Sequence, residues 1–238
     1  RAYPLAVPAN RPPSLQYPFG TDSQGRDLLA TLVAGTYLTM RIGVLAGLIG
    51  VLVGVVLGFI SAYYGGPIDT VIRWAVDALL TVPGLMVLVV IASTLREPLD
   101  PVRLSLVLSL LSWMHPTRTI RSQVLSMRER AFVRVAKLSG ESNLEIIFKE
   151  LLPNLLPFLG ASLVGSVTGA IFASLGLEQL GLGAMREPTL GMTIFWVQYY
   201  GALVRGMWWW ILEPVAVIVL MFMGLFFLSA GLDEFANP

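Results

Sequence analysis

Five stretches of the chain, at about 42–64, 70–95, 102–124, 152–175 and 207–231, are each roughly 20 or more predominantly apolar residues, the length that crosses about 30 Å of hydrocarbon. Lipid offers the backbone no hydrogen-bond partner, so such a segment must satisfy its own N–H and C=O groups and is helical. The reading is an all-α integral membrane protein with five spans. Composition agrees: 55% of the 238 residues are hydrophobic and 13% charged, and the mean hydropathy is +0.74, more than a soluble core needs.

Small residues set how the spans can meet. Gly50, Gly54 and Gly58 recur every fourth residue in the first span, preceded by Gly43 and Gly47, and Ser162, Ser166, Ala170 and Ser174 repeat the interval in the fourth. Rows of this kind let helix backbones approach closely where lipid supplies no hydrophobic drive. They fit packing within one subunit, a subunit interface or a pathway wall, and Ser162 and Ser166 are candidate pathway or gating residues.

Ahead of the spans, Arg1 to about Gly20 is too rich in proline for a helix and reads as an extended segment on the membrane surface. Turn residues from Gly20 to Gly25 then lead into an amphipathic helix capped by Asp22 or Ser23. This gives an extracytoplasmic lead-in of 1–40 and a transmembrane domain of 41–238. The first residue is Arg1 and no leader precedes it, so upstream sequence is expected.

Seven basic residues, from Arg118 to Lys149, crowd one short loop, and loops dense in Lys and Arg stay in the cytoplasm. With eight basic residues on each side of the expected topology, density orients the chain and the totals do not. The loop at about 126–152 is then cytoplasmic, and 1–40, 96–101 and 176–206 are extracytoplasmic. Trp208, Trp209 and Trp210 fall where the last span enters, at headgroup level.

Several chemistries are excluded. A phosphate-cradling G-x-x-x-x-G-K-[ST] loop needs a lysine followed by Ser or Thr, but Lys137 precedes Leu and Lys149 precedes Glu, so the chain alone binds no ATP. One histidine, His115, and no cysteine leave no metal site, thiol nucleophile or H-E-x-x-H protease; His115 reads as a packed or interfacial side chain. A net charge of +1 gives no ground for nucleic-acid binding. No catalytic residue is assigned. Arg73 and Asp77 lie four apart and could neutralise each other on one helical face. Asp77 and Glu213, beneath the three tryptophans, are the acidic pathway candidates.

Between Arg128 and Pro157 the chain changes character. Arg128, Arg130, Arg134, Lys137 and Lys149 stand among Glu129, Glu141, Glu145 and Glu150, with apolar sequence on either side. The pattern reads as a short helix to Leu138, a break at Gly140, a cap at Ser142 or Asn143, and a second, amphipathic helix with Leu144, Ile147, Phe148 and Leu151 on one face. Pro153 and Pro157 then open the next span. With no energy-converting motif in the chain, this island is where an outside motor would push.

The island resembles the cytoplasmic loop of binding-protein-dependent ABC importer permeases, whose motif runs E-A-A, three residues, Gly, nine residues, I-x-L-P. Arg134, Val135 and Ala136 stand at the E-A-A positions, Gly140 at the glycine, and Leu152 and Pro153 at the terminal L-P. The spacing is kept, while Arg134 replaces the acidic residue and Glu150 the apolar one. FGTDSQGRDLLATLVAGTYLTM, AYYGGPIDTVIRWAVDALLTVPGL and LGLEQLGLG are similar to segments of the dipeptide, oligopeptide and nickel permeases, and the likeness runs from about Phe19 to the C-terminus. It implies the C-type member of a heterodimeric pair with a type I ABC importer transmembrane fold, five spans here and six in the intact subunit.

The resemblance further implies a multi-pass protein of a prokaryotic cytoplasmic membrane. Its partners would be a second, non-identical permease, two ATP-binding subunits and an extracytoplasmic solute-binding protein, with ATP and magnesium held by the ATP-binding subunits. Residues expected to dock those subunits are Arg134, Ala136, Lys137, Gly140, Glu141, Ser142, Asn143, Leu144, Ile147, Phe148 and Pro153. The cargo would be a small solute, a di- or oligopeptide first, with oligosaccharides, opines and nickel also carried in this branch. An ion-coupled carrier or channel, or a membrane anchor, remain as rival readings of the residues alone.

Overall fold

A computed structural model describes residues 1–95 and 99–236. Among these the regular structure is helical: α1 (Leu28–Tyr64), α2 (Gly66–Thr81), α3 (Gly84–Thr94), α4 (Pro101–Ser112), α5 (Met114–Arg128), α6 (Ala131–Leu138), α7 (Asn143–Glu145), a π-helical turn (Ile146–Leu151), α8 (Leu152–Gln179), α9 (Leu190–Tyr199) and α10 (Trp208–Ala236). Among the described residues three helices are long and apolar enough to cross a membrane alone, Leu28–Tyr64, Asn143–Gln179 and Trp208–Glu234, and α2 with α3, taken as one bent span, makes a fourth.

The long α1 is the axis of the bundle and packs along α4, α5 and α8. Its glycine row makes this possible. A methyl group at Gly47 would stand 2.8 Å from the backbone nitrogen of Val167, and one at Gly54 2.6 Å from Cβ of Pro116, separations that side chains do not tolerate. The row is therefore spent on contacts inside the chain, Gly43 and Gly47 facing α8 and Gly50, Gly54 and Gly58 facing α4 and α5. At Gly50 the approach lets Ser112 Oγ donate to the Ala46 carbonyl at 2.9 Å.

Four expectations need correction. First, α1 runs unbroken through residues 40 and 41, and its N-cap is Asp27, which accepts from Leu29 N–H; Asp22 and Ser23 belong to the turn before it. Second, the stretch 70–95 is not one helix. Val82 is extended at φ −84°, ψ 131°, as a residue before proline prefers, and Pro83 restarts the helix at an 83° bend. Third, the stretch 102–124 is divided at Trp113, because Pro116 has no N–H to continue the ladder. Fourth, Pro153 stands in the first turn of α8 but does not start a separate helix. The helix passes through it from Asn143 to Gln179, the π turn widening the ladder ahead of the proline; Leu152 N–H reaches back to the Ile147 carbonyl, and Asn154 Nδ2 donates to the Glu150 carbonyl at 2.6 Å.

The first 27 residues are non-helical, as expected, but they are stitched into a cap. Leu5 N–H bonds the Gln24 carbonyl at 2.9 Å and Thr21 N–H the Arg11 carbonyl at 2.8 Å. Arg26 and Asp22 form a buried pair at 2.5 Å, and Asp22 Oδ1 also accepts the N–H groups of Gln24 and Arg26. The cap reaches the loop before α10, where Arg205 donates to Ser23 Oγ at 2.8 Å, and the turn before α9, where Tyr3 donates to Glu187 at 3.1 Å; the charge of Glu187 raises the Tyr3 phenol above its usual pKa. Trp210 is fully buried beneath this cap with Leu28, Val197 and Met207, so of the three tryptophans Trp208 alone is exposed.

Candidate functional site

Two features stand out from the bundle: an exposed knob at the end of α5, and a cavity on the side of α8. The knob is α6, the turn from Ser139 to Ser142, and α7 with the π turn. Its halves are separated as the residues demand. Gly140 sits at φ +86°, a region where a Cβ costs energy, while a Cβ there would meet nothing within 4 Å; backbone conformation alone requires the glycine. Ser142 then closes a capping box: its hydroxyl accepts Glu145 N–H at 3.3 Å and Glu145 Oε2 accepts Ser142 N–H at 2.9 Å, two orphan donors satisfied reciprocally.

The knob has two faces. Inward, Val133, Ala136, Ile146 and Leu151 are buried in one cluster with Phe59 and Ala62 of α1 and Ile120, Val124 and Met127 of α5. Polar ties add to it: Arg128 Nη1 donates to the Ala62 carbonyl at 2.6 Å, and Tyr63 Oη to Asn143 Oδ1 at 2.9 Å. Just beyond, Arg121 grips Asp69 through two nitrogens at 2.5 and 2.6 Å, and the Ser61 hydroxyl donates to the same carboxylate, so α1, α2 and α5 are pinned together beside the knob. Outward, Val135, Leu138, Leu144 and Phe148 are exposed, Leu138 at 88% and Phe148 at 63%.

Most of the residues singled out for docking lie on or around this outer face. Arg134, Lys137, Gly140, Ser142, Asn143, Leu144, Phe148 and Pro153 are exposed, and Glu141 and Ile147 are half-buried. Ala136 is not available to a partner, being 6% exposed within the inner cluster. Val135 and Leu138, outside the docking set, are exposed on the same face. Arg134 and Lys137 mark one polar side of α6, but the apolar arc opposite them is wider than the face that turns in, so its sequence does not show that Val135 and Leu138 at the edge of that arc stay in solvent.

The cavity, about 620 Å³, lies between the α2–α3 bend, the α4–α5 junction and α8. Its walls are largely apolar, with Ser112, His115, Ser162, Ser166 and Asp233 among the polar lining. Ser162 and Ser166 line this space with Ala170, whereas Ser174 of the same row is buried away from it. His115, read as packed or interfacial, is exposed toward this space. Asp77 lines a separate recess of about 200 Å³ with Arg73, Arg118 and Arg121. It stands 4.0 Å from Arg118, and among the described residues no ion pair joins it to Arg73, so the neutralisation expected within α2 is made across to α5 instead. Glu213 is half-buried on α10 and lines neither space.

No group of three or more His, Cys, Asp or Glu side chains placed to hold a metal ion occurs among the described residues. Among the described residues no hydroxyl lining the cavity is hydrogen-bonded to the His115 ring or to Asp233, and the arrangement is an exposed surface at one end and an open space beside α8.

Residues 54–238 match the family described as binding-protein-dependent transport system inner membrane component. The chain is 30% identical over 228 residues to the oligopeptide transport system permease protein OppC of Mycobacterium tuberculosis, covering 96% of this chain and 78% of that protein. To the dipeptide transport system permease protein DppC of Bacillus subtilis it is 30% identical over 229 residues, covering 96% and 71%. Among solved structures, an inward-facing conformation of the MetNI methionine ABC transporter superposes with a TM-score of 0.66 at 18% identity, over 88% of this chain and 96% of that one.

Proposed function

The chain belongs to the binding-protein-dependent transport system inner membrane components, and on that premise we propose that it forms half of the pathway by which a di- or oligopeptide crosses the membrane. It is a transmembrane permease subunit of an ABC importer, of the dipeptide and oligopeptide branch, and a non-catalytic one. The other half of the pathway would come from a second, non-identical permease. Two ATP-binding subunits carrying ATP and magnesium would drive it, and an extracytoplasmic solute-binding protein would deliver the cargo.

In this reading the knob is the handle. Its outer face is apolar and exposed, as a helix meant for a protein groove is, while its inner face is packed onto α1 and α5. A push on α7 passes through the π turn and Pro153 toward the cavity, because Asn143–Gln179 is continuous helix and carries Ser162 and Ser166 on the cavity wall. Closure of the ATP-binding pair would then bias the bundle between inward-open and outward-open forms, to the extent that the docked contacts differ in free energy between the two. The largely apolar cavity with a few hydroxyls suits a cargo that the pathway must release as well as admit.

The observation that carries this is the exposed apolar set Val135, Leu138, Leu144 and Phe148 on a loop whose reverse side is locked into the bundle. Affinity purification of the tagged chain should bring with it two ATP-binding subunits and a second permease, and reconstituted vesicles should take up peptide only with ATP and the binding protein. Uptake that persists without any ATP-binding subunit would replace the importer with an ion-coupled carrier or channel. Recovery of the chain alone, with no transport, would leave a membrane anchor.

A further inference from the structure

The knob is apolar at its centre and electrically one-sided on α6. Arg130, Arg134 and Lys137 follow one another at intervals of four and three, which places them along one side of the helix, and all three are exposed. Of the nearby carboxylates, Glu129 lies 3.1 Å from Arg128, Glu145 is divided between Lys149 at 3.1 Å and the capping box, and Glu141 keeps one buried oxygen without a hydrogen-bond partner among the described residues. Among the described residues no carboxylate forms an ion pair with Arg130, Arg134 or Lys137.

Arg134 shows how the stripe is held. Its Nε and Nη2 donate to the Glu129 carbonyl at 3.2 and 2.9 Å, so the end of α5 keeps the guanidinium in place and leaves Nη1 turned away from that contact. Lys137 rests 5.8 Å from the centre of the Tyr63 ring. The cations are thus positioned, unneutralised, and beside Leu138, the most exposed apolar side chain of the knob. At Arg134 the sign is opposite to that of the acidic residue the loop motif carries at this position.

We propose that the ATP-binding subunit serving this chain presents an apolar groove with an acidic rim, its carboxylates meeting Arg130, Arg134 and Lys137, and that this reversed polarity selects the cognate subunit. The inference rests on the docking role given to the knob. A groove lined for an acidic loop carries positive charge, and against this stripe it would set like charges face to face, which penalises the wrong partner more than the right one gains. Because the stripe is exposed, its attraction is screened by salt and acts most on the rate of encounter.

The test uses the permease pair in nanodiscs and its own purified ATP-binding subunits, with binding measured at low and high salt. Combined R130E, R134E and K137E should weaken binding roughly tenfold or more at low salt, the deficit should shrink at high salt, and lysine in place of the facing carboxylates of the ATP-binding subunit should restore it. R134K separates charge from scaffolding: it keeps the charge and loses the paired hydrogen bonds to the Glu129 carbonyl, so it should bind nearly as the parent does. If R134K fails as badly as R134E, Arg134 only props α5 and the acidic rim is wrong. Unchanged affinity in the triple variant, with binding abolished by F148D, overturns the acidic rim and leaves the docking role standing. Indifference to both the triple variant and F148D overturns the docking role itself.

Discussion

The two ends of this molecule are built by different means. The cap at one end closes on itself: Asp22 and Arg26 are paired out of water, Thr189 donates to the wholly buried Glu178 at 2.7 Å, and Trp210 is sealed beneath. The knob at the other end buries an apolar face and leaves an equally apolar one exposed. Its own polar bonds are a capping box and a pair four residues apart, and Arg128 and Asn143 tie its inner side to α1. The cap pairs its buried Asp22 and Arg26 internally, though Arg26 Nη2 and the indole N–H groups of Trp209 and Trp210 find no partner among the described residues, whereas a region that keeps Leu138 and Phe148 in solvent is incomplete until something covers them. The cap is closed by its own chain, and the knob, in the proposed reading, is half of an interface.

That contrast predicts a separation of phenotypes, and the most damaging single change should be in the cap. Asp22→Ala leaves the Arg26 guanidinium buried beside an empty place, with the Gln24 and Arg26 N–H groups that donate to Asp22 Oδ1 also deprived of that acceptor. Breaking one partner of a buried pair costs about 3–5 kcal/mol. Thermal unfolding in detergent should therefore shift down by several degrees or more, and uptake should fall in step with the folded fraction. A variant that unfolds at the parental temperature would mean that Arg26 finds water there and that the cap is looser than its geometry implies.

A smaller effect, of a different kind, is expected at the turn of the knob. Gly140 has φ +86° and open space around it, so Gly140→Val should suffer from backbone strain alone, about 1–2 kcal/mol, and Gly140→Asn, which tolerates this region, should suffer less. Since the inner cluster is untouched, neither should move the melting temperature as far as Asp22→Ala does. Coupled uptake, measured against ATP hydrolysis, should drop for valine and largely survive for asparagine. Equal loss for both would point to the missing close surface of glycine, not its conformation, as what the partner reads.

These two regions also show what residue order alone discloses. The helix, glycine break and Ser142 cap of the knob were readable because each depends on neighbours a few positions away: positive φ, a capping box, a run of apolar residues. The glycine row of α1 was readable as close packing for the same local reason, although not which helices it meets. What escaped were outcomes set by distant groups. Pro153 reads as a helix start, yet the π turn and Asn154 carry the helix past it. Ala136 belongs to the docking motif by position and to the core by orientation, because α1 and α5 decide which side of α6 turns in. Asp22 has the chemistry of a cap but is held by Arg26, and Asp27 takes the role. Trp210 reads as an interfacial anchor until the cap covers it.

The least effect should come from Ser142→Ala, and it probes whether the knob's own hydrogen bonds matter once a partner is present. The change removes the acceptor for Glu145 N–H and one half of the capping box, a loss of about 1 kcal/mol for a solvent-exposed cap. In the free permease this should fray α7, read as faster amide exchange at Leu144 and Glu145, while the inner cluster at Ile146 and Leu151 stays protected. Binding of the ATP-binding subunit would order the same turn, so the fraying must be overcome on docking and affinity should fall by about fivefold, the equivalent of that energy. If exchange quickens and affinity does not change, the partner grips α6 and leaves α7 free, and the working surface of the knob contracts to Val135, Leu138 and the cations beside them.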